Sequence, residues 1–385
     1  DHNKTDFLNA VVSYNWKIDK RDSYLKVLGN YNYKHGSKNN SFVATYDGYE
    51  PLHTDELNLS SSNANNASLQ ADFRYNFPSS LALRLGSKFE NSIRTTGLNI
   101  WNHLAADDLT SSDWKYQEQV SATYLGLSKN LGKKVFAYLS MRMENTWQKG
   151  INRLSDKTEV DKRYTNWFPY VYLSYKFDDK TNTCLTYSSS IDRPSFSDLT
   201  NNKERVSAVL YTTGNPNVQP SISNVLTWEL SHGNHTLSFS YNHQKDVIAE
   251  YFETIGDKTY REITNFGSET IAKAMYSFNG KVLPWWNLNA NLAGYYDYIP
   301  KSCNVKHIWV FTGSCVNYFT FKRVGSFTVE GNFSTNRISA NYKSSPIGYV
   351  NLGYSRSFLK NALSLNISVF DVFHTLRQKG YQLNP

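Results

Sequence analysis

The chain has 385 residues and a formal net charge of +8, with 40% apolar and 15% aromatic residues, among them 28 Tyr and 9 Trp. No run approaches the roughly 18 uncharged apolar residues that a membrane-spanning helix needs, and mean hydropathy is only −0.55. Lys and Arg are scattered without a basic cluster, which argues against a nucleic-acid partner, and the three cysteines, Cys184, Cys303 and Cys315, are too few for a disulfide scaffold and match no zinc spacing.

Taken in chain order, the segment from Asp1-His2-Asn3-Lys4 leads straight into a strand pattern with no signal peptide before it, so the expectation is a processed leader or an internal piece of a longer chain. From Leu69 to Phe77 alternation is complete: Leu69, Ala71, Phe73, Tyr75 and Phe77 lie on one side, Gln70, Asp72, Arg74 and Asn76 on the other. A period of two places these sets on opposite faces of a strand. The same pattern returns at Val135 to Glu144, at Leu237 to Asn242 and at Leu363 to Val369. Short turns are predicted near Asp19 to Asp22, Pro78-Ser79, Asn130 to Lys133, Asp178 to Lys180, His232 to Asn234, Pro284 to Trp286, Lys322 to Gly325 and Leu359 to Asn361. Between them fall longer polar links, notably His35 to Ala67, Arg94 to Tyr116, Gln148 to Asn166 and Asp192 to Ser223.

Alternation alone also fits a soluble β-sandwich, and a soluble β-propeller or lectin is a further alternative. Short turns at one end and long links at the other favour an outer-membrane barrel, with periplasmic turns and extracellular loops. Lipid offers no partner for backbone N–H and C=O groups, which favours a closed ring of strands. The fold expected is therefore all-β: a transmembrane antiparallel up-and-down barrel with about sixteen strands in this chain. Leu, Val and Phe then face lipid, while Arg74, Arg84, Arg142, Glu144 and Glu229 face a wet lumen. Tyr14, Trp16, Trp167, Tyr170, Trp228, Trp285 and Trp286 sit where aromatic girdles belong, with ordinary strand aromatics as the alternative.

The stretch Tyr187-Ser188-Ser189-Ser190-Ile191-Asp192-Arg193-Pro194-Ser195-Phe196-Ser197-Asp198-Leu199 is followed by Thr213-Gly214-Asn215-Pro216-Asn217-Val218-Gln219-Pro220. Pro194, Pro216 and Pro220 remove ladder donors and fix φ, so no sheet runs through them. Together with Trp167 to Tyr175 and Val369 to Thr375, this resembles the barrel of TonB-dependent outer-membrane transporters, and more narrowly the Bacteroidetes-type outer-membrane β-barrel family, from about Phe168 onward. The chain departs from the family pattern at Gln219-Pro220-Ser221, where an acidic residue commonly follows the second Pro, and at His374, where Asn is usual.

The resemblance implies a 22-stranded barrel around a plugged lumen, so residues 1–385 are expected to be a barrel domain lacking its plug and first strands before residue 1 and a closing strand after 385. It also implies energised uptake of a scarce bulky solute, such as a metal chelate, cofactor, glycan or peptide. The partners implied are TonB, reached through a segment outside this chain, then outer-membrane lipid and lipopolysaccharide, and a surface lipoprotein lid. Candidate ligand contacts in the loops are Trp101, Trp114, Arg193, Arg205, Tyr211 and Asn215, chosen because aromatic and cationic groups hold bulky solutes well. Arg193 is expected to pair with a carboxylate of a neighbouring loop. Asp107, Asp108 and Asp113 form an acidic cluster without EF-hand spacing, and His232 with His235 brackets a turn. No Gly-rich phosphate loop, His-Glu-x-x-His or Cys-x-x-Cys occurs, so no catalytic, metal or cofactor residue is assigned. The alternative functions are a passive pore or surface-binding barrel and an outer-membrane hydrolase.

Overall fold

The computed structural model describes residues 2–46, 52–102, 110–201, 204–207, 209–256, 258–299, 306–339 and 341–383. In chain order the strands are β1 (His2–Lys17), β2 (Tyr24–Tyr46), β3 (Leu52–Asn76), β4 (Leu81–Asn102), β5 (Thr110–Leu131), β6 (Val135–Asn152), β7 (Lys157–Lys176) and β8 (Thr181–Asp192). A helical turn α1 (Phe196–Leu199) and short strands β9 (Glu204–Arg205) and β10 (Leu210–Thr213) precede β11 (Ser221–His232) and β12 (His235–Lys245). The hairpin of β13 (Ile248–Ile255) and β14 (Lys258–Asn265) leads to β15 (Glu269–Leu283), β16 (Trp286–Tyr298), β17 (His307–Phe321) and β18 (Gly325–Ser334). The chain ends through β19 (Arg337–Ser339), β20 (Tyr342–Ser344), β21 (Ile347–Phe358), β22 (Leu363–Val369) and β23 (Gly380–Gln382).

Sixteen of these form one antiparallel wall in the order β1 to β8, β11, β12, β15 to β18, β21 and β22. All eight predicted short turns fall between its strands, at one end of the wall. Left-handed backbone makes several of them: Gly132 and Gly233 sit at φ +70° and +56°, which glycine adopts without a Cβ penalty. β1 and β22 are the two edges, and among the described residues they do not pair with each other.

Three of the four predicted long links are mostly strand. β2 runs on to Tyr46 and β3 starts at Leu52; β4 and β5 stop only at Asn102 and Thr110; β6 and β7 leave just residues 153–156 between them. The reason is that ladder pairing needs only backbone groups, so Ser- and Asn-rich sequence such as Ser60 to Asn66 pairs in register with Leu98 to Ser92 once it stands in water rather than lipid. The fourth link, between Asp192 and Ser221, is a genuine excursion. Wall height is therefore uneven: β3 has 25 residues and β18 only 10, a difference of about 50 Å along the strand at roughly 3.3 Å per residue.

The two faces separate as expected. Leu69, Leu85, Leu125, Leu139, Phe239, Leu292 and Phe333 stand on the outer face and are exposed. The inner face holds polar pairs: the Tyr124 hydroxyl donates to Asp72 at 2.7 Å across Gly86, where a Cβ would collide with the Tyr124 ring. Arg84 lies over the Tyr138 ring at 5.0 Å, and Arg74 donates to Asn76 at 2.9 Å. Near the turns, Trp285 stacks on Phe321, and Trp286 donates to Asn317 at 3.0 Å. These form part of a girdle with Trp16 on β1 and Phe177 beside β7, all partly or largely exposed. Tyr170 is the exception among the predicted girdle residues, because it shares the inner face with Tyr138, their ring centres 5.6 Å apart. Among the described residues no helix is long and apolar enough to cross a membrane.

The first turn carries a pH-sensitive clasp. The Asp19 carboxylate accepts from the Arg21 and Ser23 amides at 2.9 and 3.1 Å and from the Arg21 guanidinium and Ser23 hydroxyl at 2.9 and 3.0 Å. Partial burial alone would raise its pKa, but these donors outweigh it and hold the group below the ordinary carboxylate range. A depressed folded pKa stabilises above the unfolded value of about 3.9 and is lost as pH falls through the lower folded value. Exchange of the Ser23 amide, corrected for its intrinsic pH dependence, should stay slow at pH 5 and speed up below about pH 4; an Asp19→Ala protein should exchange fast at both.

Candidate functional site

The excursion between β8 and β11 folds back over the inner face of β5 to β7. Ser195 N–H donates to the Asp198 carboxylate at 2.7 Å and starts α1. Phe196, Leu199 and Val218 are then buried against Trp114, Tyr116 and Val160 of the wall, with Ile248 and Ile263 packed alongside. The Tyr116 and Phe196 rings lie 5.4 Å apart. Gly214 is required by the return: a Cβ there would fall within van der Waals collision of the Ser197, Asp198 and Thr200 carbonyl oxygens, all backbone. Asn215 N–H donates to the Asp198 carbonyl at 2.5 Å, closing the loop on itself.

Two polar anchors fix this loop. Arg193 Nη2 donates to Glu144 Oε2 at 2.6 Å and to the Thr146 hydroxyl at 2.9 Å, while Arg142 Nε donates to the other Glu144 oxygen at 2.5 Å. Lys162 Nζ donates to the Pro216 and Val218 carbonyls at 2.9 and 2.7 Å. Because Glu144, Trp114 and Tyr116 meet the loop, the face that carries them is the concave, luminal one.

β10 pairs in parallel with β14, so this loop and the β13–β14 hairpin merge into one four-stranded sheet across the mouth. Asn215 Nδ2 donates to Glu262 at 3.0 Å, and Asn265 joins Gln219 to the hairpin by bonds of 2.7 and 2.9 Å. A cavity of about 410 Å³ opens between this sheet and the tall β3–β4 hairpin. Hydroxyls of Ser60, Ser62, Thr96, Ser197 and Thr212 dominate its polar lining, with Arg261 set among them. Arg261 is held by Glu250 at 3.3 Å and the Thr212 hydroxyl at 3.4 Å. Such a site offers hydrogen bonds in many directions and one cation, Arg261, set beside the Glu250 carboxylate with Asp198 also in the lining.

The predicted ligand residues separate. Tyr211 and Asn215 lie in the mouth sheet; Tyr211 stacks on Tyr260 at 5.5 Å, with Lys258 5.7 Å from its ring. Arg193 is an anchor, and its carboxylate comes from the wall strand β6 instead of a neighbouring loop. Trp114 is 1% exposed and packs in the loop–wall core. Trp101 is exposed, paired with Leu57, on the same outer face of β4 as Phe89. Arg205 belongs to β9, but its side chain lies outside the described residues. Glu144 and Lys162, the anchors, were not singled out as loop partners; the only signal was the unpaired Arg193 in a Pro-rich turn.

Asp107, Asp108 and Cys303 lie outside the described residues, and Asp113 is paired with Arg153 at 2.7 Å. Cys184 and Cys315 are free thiols. His232 and His235 bond to the Thr181 and Tyr276 hydroxyls beside their turn. Among the described residues no group of three or more His, Cys, Asp or Glu is placed to hold a metal ion.

Residues 16–385 match the model of the outer membrane protein beta-barrel family. The fold is similar to that of the ferric-catecholate import receptor Fiu from K12 E. coli (TM-score 0.66, 10% identity, covering 99% of this chain and 63% of that one). It is similar also to the ferric yersiniabactin uptake receptor FyuA from Yersinia pestis (TM-score 0.65, 11% identity, 96% and 56%). The copper transporter OprC aligns with a TM-score of 0.69 at 11% identity, over 95% of this chain and 60% of that one. The chain thus spans about three fifths of the length of these structures, and at such identities the likeness is one of fold. No curated protein matches the sequence.

Proposed function

Because the chain belongs to the outer membrane protein beta-barrel family and so resides in the bacterial outer membrane, we propose that it forms the wall and mouth of a receptor that takes up a bulky solute with energy supplied through TonB. The observation that carries this reading is the inward-folded loop 193–220, which with β13 and β14 roofs the lumen and builds a polar cavity at its mouth. A roof anchored by a buried ion pair suits a receptor that must hold its solute before moving it. The import functions that name Fiu, FyuA and OprC agree with this reading.

The remainder of the barrel follows from the same proposal. Unpaired backbone groups at a lipid-exposed sheet edge cost several kcal/mol each, so the β1 and β22 edges call for further strands, toward the 22 of plugged transporters. A plug and a TonB-contacting segment would lie outside residues 1–385. Tyr211, Asn215 and Arg261 are the solute contacts we favour at the mouth. Outer-membrane lipid and lipopolysaccharide are its surroundings in this reading, and a surface lipoprotein would cover the cavity from outside. We read the protein as a transporter and not as an enzyme.

The test is uptake by whole cells of labelled ferric chelates, cobalamin, oligosaccharides and peptides, comparing the intact gene, its deletion and a strain lacking TonB. Uptake of one of these lost equally in both mutant strains supports the proposal. Uptake that survives loss of TonB overturns energised transport and leaves a passive pore.

A further inference from the structure

On the luminal face of β2, β3 and β4 the strand register sets side chains in rows. One row runs Lys34, Ala64, Arg94 and Tyr116, so the first three share their face with the ring that meets Phe196 under the loop. The next row up carries Gly36, Ser62 and Thr96, and the one above it Lys38, Ser60 and Leu98. Lys34 and Arg94 therefore stand two strands apart, about 10 Å, and Lys34 and Lys38 four residues apart, about 13 Å along the strand.

All three cations are exposed, and among the described residues none has a carboxylate at ion-pair distance. The nearest acids of this face are engaged elsewhere: Glu90 pairs with Lys88 at 2.6 Å, and Glu118 accepts from the Gln148 amide at 2.6 Å. Between the cations the floor is low and rich in hydroxyls. Ala64 alone separates Lys34 from Arg94, and a Cβ on Gly36 would come within 3.2 Å of the Ser62 hydroxyl. Ser60, Ser62 and Thr96 reach the 410 Å³ cavity, and on its far side the roof presents Arg261 beside Glu250. Unpaired like charges at these separations repel one another and cost the fold stability, and a bound polyanion reverses that cost.

We propose that this face of the tall hairpin binds an acidic oligosaccharide, with its acid groups on Lys34, Lys38 and Arg94 and its hydroxyls over Ser60, Ser62 and Thr96. A compact chelate concentrates its charge at one point, whereas these cations stand at three corners of a flat lattice. An extended anion with hydroxyls between its acid groups matches both the spacing and the floor. The inference deepens the receptor reading, on which it rests for transport and not for binding.

The test titrates the full mature protein in detergent with oligogalacturonate and with sulfated dextran oligomers, each beside its neutral twin, the methyl ester and plain dextran. At least one acidic sugar is expected to bind about tenfold more tightly than its twin, and Lys34→Gln with Arg94→Gln should remove about that factor. Lys115→Gln, which pairs with Thr95 on the opposite face of the same wall, should leave the affinity unchanged. Failure of both acidic sugars to bind, or equal binding of their neutral twins, overturns the proposal. Oligoglutamate binding as tightly as the better sugar overturns it in favour of an acidic peptide. If the double variant loses the heat-modifiable gel mobility of a folded barrel, Lys38→Gln decides: unchanged affinity rejects the site, reduced affinity upholds it. Because the titration needs no TonB, its failure leaves energised uptake standing, and uptake that survives loss of TonB leaves the binding result standing.

Discussion

Replacing Glu144 with alanine should free residues 193–220 from the wall and cost on the order of 3–5 kcal/mol, the range for removing one partner of a buried ion pair. Glu144 has 9% side-chain exposure and its two oxygens serve two guanidiniums, those of Arg142 and Arg193. Without it the two cations remain side by side in a pocket whose other donors and acceptors are fixed. Glu144→Gln keeps one acceptor and should cost less, while Glu229→Ala, elsewhere on the luminal face, should cost little. Unfolding midpoints in urea, followed in phosphocholine vesicles, measure the stability difference. Limited proteolysis reads the loop: new cleavage between Arg193 and Gln219 in Glu144→Ala alone is expected, and an unchanged midpoint with an unchanged digest would show that the ion pair does not hold the loop.

Trp114→Ala should be comparably damaging, about 3–5 kcal/mol for a large aromatic removed from a packed core. Trp114 lies beneath Phe196, Leu199 and Val218 with Tyr116 and Val160 at its sides, so the loss opens a hole that the anchored loop cannot readily fill. Trp114→Phe should retain most of the stability and, if the residue packs and does not touch solute, most of the uptake. A fall in uptake by Trp114→Phe with full stability would instead restore Trp114 as a ligand contact. Glu144→Ala and Trp114→Ala both release the same loop, so their combination should cost less than the sum. Strict additivity would mean that loop and wall are not one cooperative unit.

The wall was legible because a strand facing lipid on one side and water on the other must alternate, and Leu69 to Phe77 does so without exception, as does Leu139 to Glu144. The turns were legible for a different reason: Gly132, Gly233 and the Asp19 clasp supply conformations or acceptors that strands do not. The upper strands were not, because above the membrane neither face needs apolar residues and Ser60 to Asn66 reads like a loop. At the mouth, the prolines announced an excursion but not its direction. Whether Arg193 reaches solute or wall depends on Glu144, 49 residues earlier in the chain, and no local pattern carries that distance. Trp114 was misjudged for the same reason, since its burial is supplied by Phe196 and Val218 from the far side of the excursion.

The uneven height of the wall gives the molecule a front and a back. From β2 to β5 it stands as a screen above the cell surface, while around β18 and β21 it barely clears the bilayer. On the proposed reading, a solute would reach the mouth more easily past the short strands than past the tall ones.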